Sequence, residues 1–236
     1  MKVLVSVIVG VSLILSASLL KDGLTELRTA DRYVTVKGVA EKEVTADLAL
    51  WPIRFSASGE TLEVARQKAR SSRDGVMAFL KLQAISEDSV ELQRMDVVDT
   101  QANAYQPENS ARKVIINQVL MVRTAEVDKV RQAARNVSDL VDSGVILSSD
   151  YGPTGPTYLF TRLNQVKPDM ISEATLAARE SARQFALDAD AELGGLRRAN
   201  QGVFQILARD QAPGVTAEQQ PLKTVRVVST FDYYLN

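Results

Sequence analysis

Reactive residue types are scarce in this sequence, and the missing types limit its chemistry more than the present ones. The 236 residues contain no histidine and no cysteine. Histidine is the commonest general base and metal ligand, and cysteine supplies thiol nucleophiles and thiolate metal sites. Catalysis would have to depend on carboxylates, on a Ser–Lys pair or on a cofactor. We therefore predict a protein that is not an enzyme and that needs no cofactor or metal.

Two groups of residues have a spacing that such chemistry would require. Glu41, Glu43 and Asp47 offer carboxylate oxygens, which suit a hard cation. They alternate with other residues along a strand-like segment, however, and this favours a solvated polar face. Ser72 lies one helical turn from Lys68, as a Ser–Lys dyad would, but it falls on the apolar stripe of a predicted helix. Packing is the better explanation for this serine.

Common ligand-binding motifs are also missing. No phosphate-binding loop, dinucleotide fingerprint or calcium-binding loop occurs, and Gly152 and Gly155 are separated by a proline in a turn-like segment. The formal net charge is −1, with acidic and basic residues interspersed. Because a nucleic-acid-binding protein needs a basic patch or stripe, we expect no nucleic-acid partner.

The segment TYLFTRL, residues 157–163, contains the candidate binding residues. Side chains alternate across a strand, so Tyr158, Phe160 and Arg162 are expected on one side of it. Aromatic residues and arginine are enriched at interfaces. These three residues are candidates for a ligand groove or an oligomer contact, with ordinary packing at a sheet edge as the alternative.

An uncharged stretch, VLVSVIVGVSLILSASLL, occupies residues 3–20. As a helix it would span about 27 Å, which is close to the thickness of a bilayer core. A membrane anchor within residues 1–24 and a secretory signal cleaved after a small-residue site both fit this stretch. Either one would place the rest of the chain outside the cytoplasm. The residues expected to face lipid are Val3, Val7, Val11, Leu15 and Leu20.

Apolar periodicity predicts the remaining elements. The order is strand, helix, hairpin, helix, strands, helix, strands. It predicts an α+β fold, with a mixed or antiparallel sheet, three packed helices and recurring helix-then-strands units, after one N-terminal hydrophobic helix. The predicted segments are an extended run 33–56, a helix 60–83, a hairpin 90–104 and 113–123, a helix 126–143 capped by Gly144, extended runs 145–149 and 157–163, a helix from Pro168 to Gly194-Gly195, and strands 203–208 and 224–234.

Local features refine this prediction. Gly38 suggests a bend or bulge in the first extended run, and Pro52 should lie at an edge or irregularity because it cannot donate a ladder hydrogen bond. The nearly all-apolar VIINQVLMV, residues 114–122, indicates a central strand. A face of small residues on the third helix, with Phe185 included, predicts close approach to a sheet.

Two blocks resemble a known family. The segment YVTVKGVAEKEVTADLALWPIRF, residues 33–55, resembles the opening strands of SIMPL-domain proteins. The segment EATLAARESARQFALDADAELGGLRRANQG, residues 173–202, resembles that family's long Ala- and Arg-rich helix and its Leu-Gly turn. The first block departs from the family's usual pattern, because Gly38-x-Ala40 stands where Gly-x-Gly is common and Ala46-Asp47 where Pro-Asp is common.

The resemblance, extending over about residues 32–236, implies an exported α+β domain of the bacterial envelope. It also implies ring-like or channel-like homo-oligomers and a link to oxidative-stress tolerance. We therefore expect a non-enzymatic periplasmic protein, anchored in the inner membrane, whose partners are its own copies, the membrane and other envelope proteins. The alternatives are a soluble periplasmic form after signal cleavage and a ligand- or protein-binding module with a groove near Tyr158 and Phe160.

Overall fold

A computed structural model describes residues 32–102, 113–148 and 155–236, together with Ser16. All five anchor residues named above therefore lie outside the described residues, as does the rest of the expected hydrophobic helix apart from Ser16. Within the described ranges, no helix combines the length and the apolar character that a membrane span requires.

The described residues form an α+β fold, as predicted, but with two antiparallel sheets and four helices instead of one sheet and three helices. The strands are β1 (Tyr33–Thr45), β2 (Leu48–Gly59), β3 (Val90–Asp99), β4 (Val114–Thr124), β5 (Ile146–Leu147), β6 (Thr157–Leu159), β7 (Leu193–Asn200), β8 (Gln205–Ala208) and β9 (Leu222–Leu235). The helices are α1 (Leu62–Leu82), α2 (Val127–Arg135), α3 (Ser138–Asp142) and α4 (Leu163–Asp188).

The chain divides into two compact units, and the first takes its described residues from 32–42, 164–205 and 225–236. In its sheet the strand order is β1, β9, β7. Helix α4 buries a stripe of mostly small side chains. The buried residues of this stripe are Met170, Ala174, Ala178, Ala182 and Ala186. Phe185 does not belong to it, since that side chain is 57 % exposed.

Gly38 explains why the stripe consists of small residues. It lies within β1, which runs without interruption from Tyr33 to Thr45. A Cβ atom at this position would lie 1.8 Å from the carbonyl oxygen of Ala174 and 3.0 Å from the Cβ of Ala178. The backbones of β1 and α4 are therefore nearly in contact, and the close approach predicted from the small residues is confirmed.

The second unit comprises residues 43–163 and 206–224 within the described ranges. Its sheet has the order β3, β4, β2, β5, with β6 also pairing with β2, so β4 is an interior strand as its apolar sequence predicted. Helix α1 packs on β2 and β4 through Val76, Phe79 and Leu80. We call the side of the sheet that α1 covers the inner face.

Pro52 lies at an irregularity, as expected. On one side β2 pairs with β4 along its length, with Pro52 opposite Met121. On the other side it pairs with β6 only at residues 48–50 and with β5 only at residues 55–56. Pro52 lies in the gap between these two short partners, where its missing N–H costs no ladder bond.

The predicted helix 126–143 is interrupted and forms α2 and α3. At the interruption, the backbone N–H of Asn136 bonds to the carbonyls of Gln132 and Ala133, and its side-chain amide donates to Gln83 Oε1 at 3.3 Å. Gly144 follows α3 with φ +88°, so the predicted glycine cap is confirmed.

Both predicted ends of the third long helix are wrong. Helix α4 begins at Leu163, and Pro168 lies inside it. It ends at Asp188, where Asp190 adopts a left-handed conformation with φ 49° and the Ala191 N–H bonds to the Ala186 carbonyl at 2.9 Å. Aspartate tolerates this conformation, so no glycine is needed to end the helix.

The glycine pair that was expected to end the helix, Gly194-Gly195, lies in β7 instead. The pairing of β7 with β9 shifts register between Leu193 and Leu196. A glycine inside a strand often marks such an irregularity or a close backbone approach. A Cβ atom on Gly194 would lie 3.0 Å from the Tyr234 carbonyl oxygen, which is a close approach of this kind.

The extended run 33–56 is two strands in different sheets, joined at Ala46 and Asp47. The Ala46 N–H bonds to the Pro221 carbonyl at 2.7 Å, and the Asp47 N–H bonds to the Leu159 carbonyl at 2.9 Å. The predicted run 157–163 is also shorter than expected, because β6 ends at Leu159.

Candidate functional site

A groove in the second unit is lined by three segments that are far apart in sequence. Its volume is about 750 Å³, within the usual range for small-molecule sites. The lining residues are Arg131, Ala134 and Arg135 of α2, Gly155 to Tyr158 at β6, and Thr216, Glu218 and Gln219 of the turn that precedes β9. Every residue of the lining belongs to the second unit.

Helix α2 supplies the basic wall because of its amphipathic pattern. Val127, Val130 and Ala133 are buried, while Arg131 and Arg135 are exposed and lie one turn apart along the groove. Arg131 Nη2 is 2.9 Å from Asp128 Oδ1, so this arginine has an ion-pair partner on its own helix. Within the described part of the chain, Arg135 makes no hydrogen bond or ion pair.

Tyr158 forms the base of the groove. It pairs with Ala49 of β2, which directs its side chain to the inner face, and it is only 4 % exposed. Its hydroxyl makes no hydrogen bond to any described residue, but the hydroxyl oxygen keeps some exposure to solvent. Burial raises the pKa of Tyr158, although the positive charges of Arg131 and Arg135 act against the rise. The hydroxyl therefore stays protonated at neutral pH and can donate.

The opposite wall is a short 3-10 turn, Ala217–Gln219. Thr216 caps this turn, with its side chain accepting from Gln219 and its backbone N–H donating to Gln219 Oε1. Beneath it, the buried Lys223 ammonium donates to the Ala217 carbonyl. Burial lowers the pKa of Lys223, while the nearby Glu218 charge acts in the opposite direction. The Thr216 cap and the hydrogen bond from the buried Lys223 therefore both stabilise this turn.

Phe160 and Arg162 do not join Tyr158 in this groove. Because β6 ends at Leu159, the alternation on which their shared side depended stops. Arg162 Nε donates to Asp47 Oδ2 at 2.8 Å, and Asp47 also accepts from the Thr161 N–H and hydroxyl at 2.8 and 3.0 Å. Arg162 thus anchors the segment that follows β6. Phe160 is half-buried and is not among the lining residues.

A second feature, the free edge of β3, has the composition of a contact surface. Strand β3 ends the sheet and pairs only with β4 among the described strands. Leu92, Met95 and Val97 project from its inner face and are exposed, with Met95 55 % exposed. Helix α1 packs on β2 and β4 and leaves this strip uncovered. Exposed apolar edges of this kind are prone to pairing with another chain.

The other candidate groups form ordinary contacts. Glu41 lies 3.1 Å from Arg226 Nε, and Asp47 is held by Arg162 as described. Among the described residues, no cluster of acidic side chains has a geometry that could hold a metal ion. Ser72 is half-buried on α1, while Lys68 is exposed.

Sequence reasoning identified Tyr158 but missed the residues that surround it. Arg131 and Arg135 look like the solvated side of an amphipathic helix, and Glu218 lies in a polar loop. The i, i+4 spacing of Arg131 and Arg135 indicated a shared helix face, but no local pattern indicates that this face lies in one groove with Tyr158. The edge of β3 was also missed, because its exposure depends on where α1 lies.

Comparison with solved structures gives a distant similarity. An amidase of the hydantoinase/carbamoylase family from Burkholderia phymatum is 14 % identical, with a TM-score of 0.24, and the match covers 60 % of this chain and 36 % of the amidase. A comparison with curated proteins finds no match. The family model SIMPL, described as a protein of unknown function (DUF541), matches residues 34–231. Since this match spans most of both units, the chain belongs to the SIMPL family.

Proposed function

We propose that this chain is a non-enzymatic, membrane-tethered protein of the bacterial envelope that assembles with copies of itself. The observation that carries the proposal is the free edge of β3, with its uncovered apolar side chains. The uncharged stretch at residues 3–20 supports a tether in the inner membrane, with the folded part in the periplasm. Tethering would collect copies in one plane and raise their effective concentration.

The direction of the backbone groups along β3 supports pairing at its outer edge. The Thr100 N–H, just beyond β3, bonds to the Lys113 carbonyl at 3.0 Å, so from Arg94 to the end of β3 the backbone groups at even positions face β4. Pairing alternates along an antiparallel ladder. The N–H and carbonyl groups of Met95 and Val97 therefore point away from β4, towards the open edge.

Charge complementarity favours a second copy as the occupant of this edge. Arg94 and Asp96 flank Met95, and their side chains are joined at 2.5 Å between Nε and Oδ2. If two β3 strands pair antiparallel about Met95, each Arg94 lies opposite Asp96 of the other copy. Opposite charges across a strand pair are favourable, and the self-complementary arrangement gives a closed twofold contact.

Sedimentation equilibrium of the detergent-extracted full chain tests this assembly. We expect an oligomer at micromolar concentration. Met95→Lys should raise its dissociation constant by about a hundredfold, because two lysines would face each other on the twofold axis. Leu82→Lys is the matched control, since Leu82 is 84 % exposed on α1. A monomeric wild type refutes self-assembly, and equal effects of the two substitutions refute the edge.

N-terminal sequencing of the protein from membrane and soluble fractions tests the tether. We expect an intact N-terminus in the membrane fraction. A soluble form that begins after residue 18 would support signal cleavage instead. The association with stress tolerance is supported only by family resemblance, and survival of a deletion strain under peroxide tests it.

A binding module is the second candidate function, and the groove at Tyr158 is the observation that favours it. A ligand that binds only the folded state raises the melting temperature. Thermal denaturation of the full chain against a library of acidic, neutral and basic small molecules tests this function. A flat response across the library would refute it.

A further inference from the structure

We propose that the groove at Tyr158 is an oxyanion site, which binds the carboxylate or phosphoryl group of a small molecule between Tyr158 and Arg135. This inference rests on the second candidate function, and it does not depend on self-assembly. It assigns a ligand class to two residues that lie 23 positions apart in sequence (135 and 158) and that line the same groove in the folded chain.

The tyrosine hydroxyl is the first line of support. Tyr158 is only 4 % exposed, and a buried tyrosine usually finds a hydrogen-bond partner. Here the hydroxyl has no partner among the described residues and opens onto the groove. A protonated hydroxyl in this position has no acceptor among the described residues, and an oxyanion in the groove would supply one.

The arginines are the second line of support. Arg131 and Arg135 line the groove together with Tyr158, and their positive charges oppose the rise in the Tyr158 pKa. Arg131 is already bonded to Asp128, whereas Arg135 has no partner in the described structure. A guanidinium group presents a planar fork of donors that matches a carboxylate or phosphate in a bidentate arrangement. Arg135 is therefore the main positive charge that a ligand would meet.

The acidic groups around the groove are already bonded. Hydrogen bonds from its own backbone N–H and from the Thr216 hydroxyl hold the pKa of Glu218 below its usual range, and the Lys223 charge contributes. Asp128 pairs with Arg131. With Lys223 close to Glu218 and Arg131 close to Asp128, these four charges balance, and the positive charge of Arg135 remains.

The remaining walls limit the rest of the ligand. Ala134 and Pro156 are apolar, and Gly155 leaves open space where a side chain would begin. The Thr157, Thr216 and Gln219 side chains can donate to or accept from a polar substituent. A volume of about 750 Å³ suits a compact organic acid or phosphate monoester and is too small for a folded partner.

Isothermal titration of the full chain with benzoate and, separately, with phenyl phosphate tests the site. The ionic strength is held constant with chloride, so that general screening does not change. We expect saturable binding of at least one probe, and the stronger one identifies the preferred oxyanion. Arg135→Gln should weaken binding by about tenfold or more, and Tyr158→Phe by about three- to tenfold.

Lys129→Gln is the matched control, since Lys129 is a cation of the same helix that does not line the groove and pairs with Glu126 at 2.6 Å. It should leave binding unchanged. Equal weakening by Lys129→Gln and Arg135→Gln would overturn the oxyanion site. The oxyanion site would also be overturned if neutral compounds bound saturably and their binding depended on Tyr158 but not on Arg135. That result would still support the binding module. Failure of every compound would overturn both.

Discussion

The two units cover their sheets with helices in opposite ways. In the first unit, α4 presents a stripe dominated by alanine, and Gly38 of β1 lies directly against the helix backbone. In the second unit, α1 fills the space above its sheet with larger side chains, Val76, Phe79 and Leu80. Close approach leaves no room for added atoms, whereas side-chain filling leaves a cavity when atoms are removed. The two regions should therefore respond differently to the same kind of substitution.

Gly38→Ala should give the largest effect. The new Cβ would lie 1.8 Å from the Ala174 carbonyl oxygen, so strand and helix would have to separate. We expect a loss of more than about 3 kcal/mol in the free energy of unfolding, beyond the usual cost of overpacking. Urea unfolding of the full chain, followed by circular dichroism, measures it. Gly195→Ala is the control, because its Cβ would meet nothing within 4 Å. Similar losses in both variants would refute the close-packing argument.

Leu80→Ala should destabilise the second unit by about 3 kcal/mol, through a cavity instead of a clash. Leu80 is 1 % exposed, and the single tryptophan, Trp51, belongs to the same core cluster. Tryptophan fluorescence therefore reports urea unfolding of this unit directly. Leu82→Ala removes the same atoms from a side chain that is 84 % exposed, and it should have little effect. A small loss in Leu80→Ala would contradict side-chain filling by α1.

Asp47→Asn should cost about 2 kcal/mol at neutral pH, because it weakens hydrogen bonds to a charged acceptor. Burial raises the pKa of Asp47, but the hydrogen bonds from Arg162 and Thr161 outweigh it, so the pKa in the folded state is lowered. The carboxylate therefore stabilises the fold above the unfolded-state pKa of about 3.9, and this contribution disappears as pH falls through the folded-state value. Urea midpoints between about pH 2 and 7 should show that the difference from wild type narrows in acid. An unchanged difference would refute this role of the charge.

Several elements were predictable from sequence because local patterns determine them. The apolar spacing of α1, the hairpin of β3 and β4, and the glycine cap after α3 all depend on residues close together in the chain. The ends of α4 and the existence of β7 were not predictable. Asp190 ends the helix, and Gly194-Gly195 continue into a strand, because pairing with β9 outweighs the usual preference of glycine.

By itself, the sequence determined the α+β class, the family and the small-residue face of α4. It also limited the chemistry through the absence of histidine and cysteine. Only the tertiary structure decided that residues 33–56 form strands of two different sheets, that the edge of β3 is uncovered, and that Arg135 and Tyr158 line the same groove. The physical reason is the distance along the sequence over which the interactions act. Periodicity and capping act over a few residues, whereas sheet order and grooves depend on contacts between segments whose encounter no local pattern encodes.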